Sequence, residues 1–498
     1  MRQALLALAL GLFAVAVAGP DLARAAEPAA PPAPPVSKQT EKCLGCHEAA
    51  TPGIVADWRA SRHSTVTPEK ALTAPALERR MSAASVPEPM AKVVVGCFEC
   101  HGQHAEAHQD NFGHYGQKVN VIVTPKDCAT CHTEEAAQYA GSKKAHAVGN
   151  LTKNPVFAAL MNTATSLKTA RDGRLAAAAA GTDAAKAASC LACHGTEIKV
   201  RGLKTIELED GPVKVPDLEG WPNHGVGRIN PDGSLGACTT CHPRHGFSIE
   251  VARKPHTCGQ CHLAPDVPAY EVWSESKHGN LTLSLEEEFH WNDVPWIPGQ
   301  DFRAPTCSSC HNALLADRDG NVLAPRTHDF GSRLWVRLFG LPYTHAQPVS
   351  GDTSILKNKD GLPLPTSFAG EPVATGLIDA QEQARRKAAM GKVCGACHST
   401  SYTQGHFAKL DASLAETDQM TLAATRLMQT AWNRKLADKT NPFDEPLEMK
   451  WVEQWLFHAN ATRLSAAMAG QDMAAFKAGW WNLTKNLKEM EATVAGKK

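Results

Sequence analysis

The chain has 498 residues, 43% apolar and 20% charged, with 51 basic side chains balanced by 51 acidic ones. That composition suits a globular protein, and the charge balance without any basic tract excludes an electrostatic nucleic-acid binder. The outlier is cysteine, with 16 residues in a chain only 6% aromatic.

Residues 1–25 read as a secretory signal. Arg2 is a short positive region, residues 4–18 are an apolar run, and Ala23-Arg24-Ala25 offers a small-x-small cleavage site. The run is too short to span a bilayer, and no later run is longer. The expected mature protein is therefore exported to the periplasm and has no membrane span. Residues 26–38 are Pro/Ala-rich and read as an extended linker. Residues 39–407 hold every cysteine, with many Pro and Gly between them, and residues 408–498 hold none and turn helical in pattern.

All sixteen cysteines belong to eight copies of Cys-x-x-Cys-His. These are Cys43, Cys46 and His47; Cys97, Cys100 and His101; Cys128, Cys131 and His132; and Cys190, Cys193 and His194. The remaining four are Cys238, Cys241 and His242; Cys258, Cys261 and His262; Cys307, Cys310 and His311; and Cys394, Cys397 and His398. A redox disulfide needs no histidine after each pair. Zinc held by paired motifs leaves eight identically placed histidines unexplained. The spacing is that of covalent haem c, with two thioether bonds and a proximal histidine per haem. Eight haems in about 473 residues, near 59 each, make porphyrin much of the core. The expected fold is mainly α with little β, a multihaem cytochrome c with a haem-rich core and a C-terminal bundle of long helices.

Of the 22 histidines, eight sit in motifs, which leaves fourteen. Six stand in contexts that suit distal iron ligands: His63, His104, His146, His245, His278 and His328. His108, His114, His224, His256 and His406 stand in less distinctive ones, and His290, His345 and His458 read as structural or pocket residues. A haem with two axial histidines only carries electrons, and one with an open position binds substrate.

Toward the C-terminus, Trp451, Trp455 and His458 share one helical face. Met473, Phe476, Trp480, Leu483, Leu487, Met490 and Val494 then repeat at a strict three-four spacing, which predicts one long helix opened by Gly470 and Asp472. That stripe packs either within the chain or against a neighbouring subunit.

From the fourth motif onward the sequence resembles the octahaem hydroxylamine oxidoreductase family. The matching stretches are Gly225-Val226-Gly227-Arg228-Ile229-Asn230-Pro231-Asp232-Gly233-Ser234, Arg244-His245-Gly246-Phe247-Ser248, Ala252-Arg253, Ser276-Lys277-His278-Gly279, Ala304-Pro305-Thr306 and Thr327-His328-Asp329. Val393 before the last motif and Ser399 after it also match. The resemblance covers most of residues 40–490. It implies a periplasmic, largely helical enzyme, commonly a homotrimer. In such an enzyme the fourth haem (Cys190, Cys193, His194) is five-coordinate and catalytic, and seven bis-His haems carry electrons. The implied substrate is a small nitrogen compound: hydroxylamine, hydrazine, nitrite or nitric oxide. A small cytochrome c or a quinol-linked membrane cytochrome is the implied redox partner.

Three places are informative. The family's Gly-Pro-Asp-His-Pro after the sixth motif is here Ala264-Pro265-Asp266-Val267-Pro268, which keeps the acid/base candidate Asp266 and puts Val267 in the histidine's place. The tyrosine that cross-links the catalytic haem in oxidising members has no counterpart. The five tyrosines are Tyr115, Tyr139, Tyr270, Tyr343 and Tyr402, and Trp481 aligns near the expected position. The fourth motif ends in His194 and not in the lysine of octahaem nitrite or tetrathionate reductases. Both losses favour the reductive direction. Hydroxylamine or hydrazine oxidation and plain electron transfer stand as the alternatives.

Overall fold

The computed structural model describes residues 33–175, 179–208, 211–339 and 342–496. The expected signal, residues 1–25, and the first part of the linker lie outside them. Helix accounts for about 47% of the chain and strand for about 11%. Among the described residues, strands pair only as two-stranded antiparallel ribbons. The longest, Lys199–Leu208 against Gly211–Glu219, follows the fourth motif and was not foreseen from the sequence. No helix among the described residues is long and apolar enough to cross a membrane. The expectation of a mainly α fold with little β holds.

The side-chain core lies at the C-terminal end. Helix Thr400–Asn433 starts where the Ser399 side chain accepts the Tyr402 N–H at 3.3 Å. Phe407, Leu410, Leu414, Thr417, Thr421, Ala424 and Met428 recur every three or four residues and are all buried. That face meets Pro446–Val452, Ala459–Met468 and Trp480–Gly496. One helix thus runs through residues 407 and 408. Trp451 is fully buried at the centre, with ring contacts to Trp432, Phe443, Phe368 and Trp455, and its Nε1 donates to Thr425 Oγ1 at 3.0 Å.

The expected single last helix is broken. Met473–Lys477 winds as a wider π turn, and the α-helix restarts at Trp480. Gly479 is the cause: a Cβ there would lie 2.0 Å from the Ala474 carbonyl oxygen, so only glycine lets the chain double back so closely. The break turns Phe476 to solvent, 72% exposed, while Leu483, Met490 and Val494 stay buried against the bundle. This part of the stripe packs within the chain.

The bundle also reaches back to the motifs. Asn460 Nδ2 donates to the Asp266 carbonyl at 2.8 Å. The buried Arg463 donates to the carbonyls of Leu338 and Pro342 and pairs with Asp418 at 2.6 Å.

Replacing Trp451 by alanine should cost about 3–5 kcal/mol of stability. The exposed Trp481 should tolerate the same change within about 0.5 kcal/mol. Denaturant midpoints of the two variants test the difference.

Candidate functional site

Each Cys-x-x-Cys-His run is built on a helical turn. Residues i, i+3 and i+4 of a helix share one side, so both thiols and the imidazole of a motif face the same way. Cys97–His101, Cys190–His194 and Cys307–His311 are complete short helices. In the third, fifth, sixth and eighth motifs the histidine N–H donates to the first cysteine's carbonyl at 2.8–3.1 Å. Side chains cap several turns: Glu99 accepts from Gly96 N, Asp127 from Thr124 N, and Ser309 from Thr306 N.

The imidazoles are aimed by their second nitrogen. His101 Nδ1 donates to Asn120 O at 2.8 Å, His194 Nδ1 to Ala147 O at 3.2 Å, and His311 Nδ1 to Phe330 O at 3.2 Å. This leaves each Nε2 lone pair to a metal. Burial lowers the pKa of these three rings and of His132 and His242, and takes His262 to about 3. All are neutral, as ligation requires.

One connected cavity of about 2640 Å³ runs through the motif region. It far exceeds the roughly 300–1,000 Å³ of an ordinary small-molecule pocket. Of the motif residues, only Cys46 and Cys397, both exposed, stay out of its lining. Neighbouring motifs touch in a definite order. The Cys43 thiol meets Cys97, Cys128 meets Cys238, Cys258 meets Cys307, and Cys193 meets Cys261. Cys100 is electrostatically coupled to Cys131, Cys241 to Cys258, and Cys310 to Cys394. The motifs therefore follow one line, first, second, third, fifth, sixth, seventh, eighth, and the fourth branches off the sixth.

Second histidines face several motifs. Ring centroids are 6.2 Å apart for His47 and His114, 6.4 Å for His101 and His245, 6.4 Å for His63 and His132, and 6.1 Å for His278 and His398. One metal ion bonded to both rings at about 2 Å each would hold their centres about 6 Å apart, so these residues fit haem iron. His328 is half-buried near His242, its buried Nδ1 without a partner and its pKa lowered to about 4 by desolvation and then by His242.

Other histidines of the sequence reading lie elsewhere. His104 Nδ1 turns to Asp127 at 3.0 Å, and its ring does not line the cavity. His146 also stays out of the lining, its ring edge where a Cβ on Gly351 would project. His108 is buried between Asp110 and Asp127. His224 faces Arg244, His256 faces Tyr270, and His290 faces Asp293 and Asp301. His406 lines the cavity with Nε2 on Ala467 O, and His458 Nδ1 meets Ala478 O. His345 is a buried lining residue whose Nδ1 donates to Ala346 O at 2.7 Å and whose Nε2 has no partner.

The fourth motif is different. The charged neighbours acting on His194 are Asp266 and Arg337. Asp266 lines the cavity, and burial raises its carboxyl above the usual range. Val267, Leu338 and Phe339 pack against a buried cluster of Val272, Ala461, Leu464 and Met473. Arg337 pairs in register with His345 across the ribbon Val336–Arg337 and His345–Ala346. Burial takes its pKa to about 10, so it keeps its charge at neutral pH. Sequence reading missed Arg337, because a lone Arg in an irregular segment carries no spacing signal, whereas His345 was among the histidines read as structural or pocket residues.

Comparison with known proteins bears on the family. The family model "Seven times multi-haem cytochrome CxxCH" matches residues 233–326, and "Cytochrome c554 and c-prime" matches residues 127–211. A solved structure described as a hypothetical multiheme protein is 45% identical, covers 92% of this chain and 96% of its own, and superposes with a TM-score of 0.87. A reducing HAO-like protein complex of Kuenenia stuttgartiensis shares the fold at 19% identity, over 92% of this chain and 85% of its own, with a TM-score of 0.58. A curated relative, a probable nitrite reductase-hydroxylamine oxidoreductase fusion protein of Kuenenia stuttgartiensis, is 26% identical over 293 residues, 55% of this chain. The chain spans about a quarter (26%) of that relative's length.

Asp110 and Asp127 push His108 up to about 9. Protonation of His108 thus contributes stability that is complete below the unfolded value of 6.5 and is lost as pH rises through about 9. His108→Gln should cost about 1–3 kcal/mol in the acidic range. The gap should close above that window in melting curves taken against pH.

Proposed function

Because the chain belongs to the multihaem c-type cytochrome family, we propose that it is a periplasmic octahaem oxidoreductase that reduces small nitrogen compounds (hydroxylamine, nitrite or nitric oxide) at the fourth motif. The observation that carries this reading is the fourth motif's position as a side branch, with Asp266 and Arg337 as the charged groups acting on His194. The nitrite reductase-hydroxylamine oxidoreductase relative supports the substrate class.

A haem held by Cys190, Cys193 and His194 would supply an iron with an open position and a route for electrons. The chain's own residues do the rest. Ala147 O fixes the His194 ring through Nδ1. Arg337 offers positive charge to an anion such as nitrite. Asp266, its carboxyl raised by burial, holds a proton to higher pH than an exposed aspartate and gives it to a nitrogen or oxygen of the substrate. Asn460 steadies that loop through the Asp266 carbonyl. Val267 and Phe339 add an apolar stretch to the cavity wall. The other motifs conduct, with His114, His245, His63, His328 and His278 as distal ligands of the first, second, third, fifth and eighth. Hydroxylamine oxidation is the second reading, favoured by the other half of the relative's description.

The ferric protein should show one high-spin haem among low-spin ones, and the reduced protein should bind carbon monoxide at the fourth haem. Eight low-spin haems inert to carbon monoxide would sink the enzymatic reading. Turnover of nitrite and hydroxylamine with reduced viologen should exceed hydroxylamine oxidation with an acceptor. Asp266→Asn should lower the reductive rate about 10²–10⁴-fold. It should also flatten the limb on which wild-type activity falls as pH rises through the raised Asp266 pKa.

A further inference from the structure

Three segments share one local pattern: an aromatic residue, two residues, a serine, a basic residue, then histidine or lysine. They are residues 58–63 (Trp58, Ser61, His63), 139–144 (Tyr139, Ser142, Lys144) and 273–278 (Trp273, Ser276, His278). Each serine is buried, its N–H donates to the aromatic residue's carbonyl at 2.9–3.0 Å, and its Oγ donates to the same carbonyl at 2.6 Å. Each aromatic ring then anchors the turn on a distant carbonyl. Trp58 Nε1 donates to Val95 O, Tyr139 OH to Val226 O, and Trp273 Nε1 to Pro305 O. The doubled serine bond sets the direction in which the chain leaves the helix, so the residue two places on projects from the same scaffold in each copy.

In two copies that residue is a histidine at axial separation from a motif histidine, His63 from His132 and His278 from His398. In the third it is Lys144, whose Nζ lies 3.4 Å from Nε2 of His262 in the sixth motif. Its other contact is the Phe330 ring, 4.9 Å from the centroid. Two nitrogens bonded to one metal at about 2 Å each would stand about 4 Å apart, close to this spacing.

We propose that Lys144, and not a histidine, is the distal axial ligand of the sixth haem. The proposal rests on the reading that Cys258, Cys261 and His262 hold a haem. Lys144 would bind as a neutral amine, one N–Fe bond forming as one ammonium proton passes to solvent. The sixth motif is also the junction: its thiols neighbour those of the fourth, fifth and seventh motifs. Every electron bound for the fourth haem would cross an amine-ligated iron.

The test uses the full-length holoprotein, with haems counted by intact mass. Near-infrared magnetic circular dichroism and electron paramagnetic resonance of the ferric protein should show one low-spin haem with an amine-imidazole pair. Lys144→Ala should turn one low-spin haem per chain high-spin and add one carbon monoxide site on reduction. Lys144→His should erase the amine signature and keep the low-spin count, which guards against a variant that merely matures poorly. His146→Ala should leave the spectra unchanged. A complete set of haems with no amine signature, or with spectra unchanged in Lys144→Ala, overturns this proposal alone. So does loss of the low-spin haem in His146→Ala. A chain lacking the haem on Cys258 and Cys261 overturns this proposal together with the reading beneath it.

Discussion

The structure depends on one geometric constraint. A helical turn puts two thiols and an imidazole on the same side, and a backbone carbonyl on Nδ1 fixes which nitrogen is offered. Repeated along the chain, the constraint turns the motif residues toward a common interior. That interior is a connected cavity and not a side-chain core. The larger side-chain core lies in the C-terminal bundle around Trp451, and a smaller one around Trp296 packs against Cys310 of the seventh motif. The loops between motifs must then be held by polar contacts. Arg228, almost fully buried, does this beside the fourth motif through Asn230 Oδ1 at 2.7 Å and Asn223 O at 3.2 Å. Gly227 lets that loop approach: a Cβ there would lie 2.7 Å from His194 O.

The same constraint orders the motifs relative to one another. Thiols of successive sites touch or are electrostatically coupled along a line, and only the fourth leaves it. A conductor needs each site beside the next. A reaction site needs only one neighbour to supply electrons, and space for substrate on its other side. The branch at the fourth motif meets both needs, and its charged neighbours are a carboxyl and a guanidinium.

Much of this was legible in the sequence because it rests on local spacing. The Cys-x-x-Cys-His runs, the helical face of Trp451 and Trp455, and the small share of strand all follow from short-range periodicity. Distal partners are long-range, and local context sorted them unevenly. His63, His245 and His278 face motif histidines, whereas His104 stays out of the cavity lining. His114 stood in a plain context and yet faces His47, because the ribbon Phe112–His114 with Gln117–Val119 carries it there. The break at Gly479 was hidden for a similar reason: the three-four stripe continues in sequence across a glycine that the backbone uses to fold on Ala474.

Lys144 bears on the electron path. An amine donates its lone pair to iron and accepts no electron density back, whereas imidazole accepts some. Amine ligation therefore favours the ferric state and lowers the reduction potential, the axial-ligand lever on haem redox poise. With Lys144 on the sixth haem, the junction would be a stronger reductant than its bis-imidazole neighbours. Electrons would reach the fourth haem only through that site, and Asp266 holds a proton there for the same event. Flow in either direction would climb onto the same low-potential site, so the junction sets the rate of exchange with the line and not its direction. The direction of the chemistry then rests on the branch itself, where Asp266 lines the cavity and holds a proton for reduction.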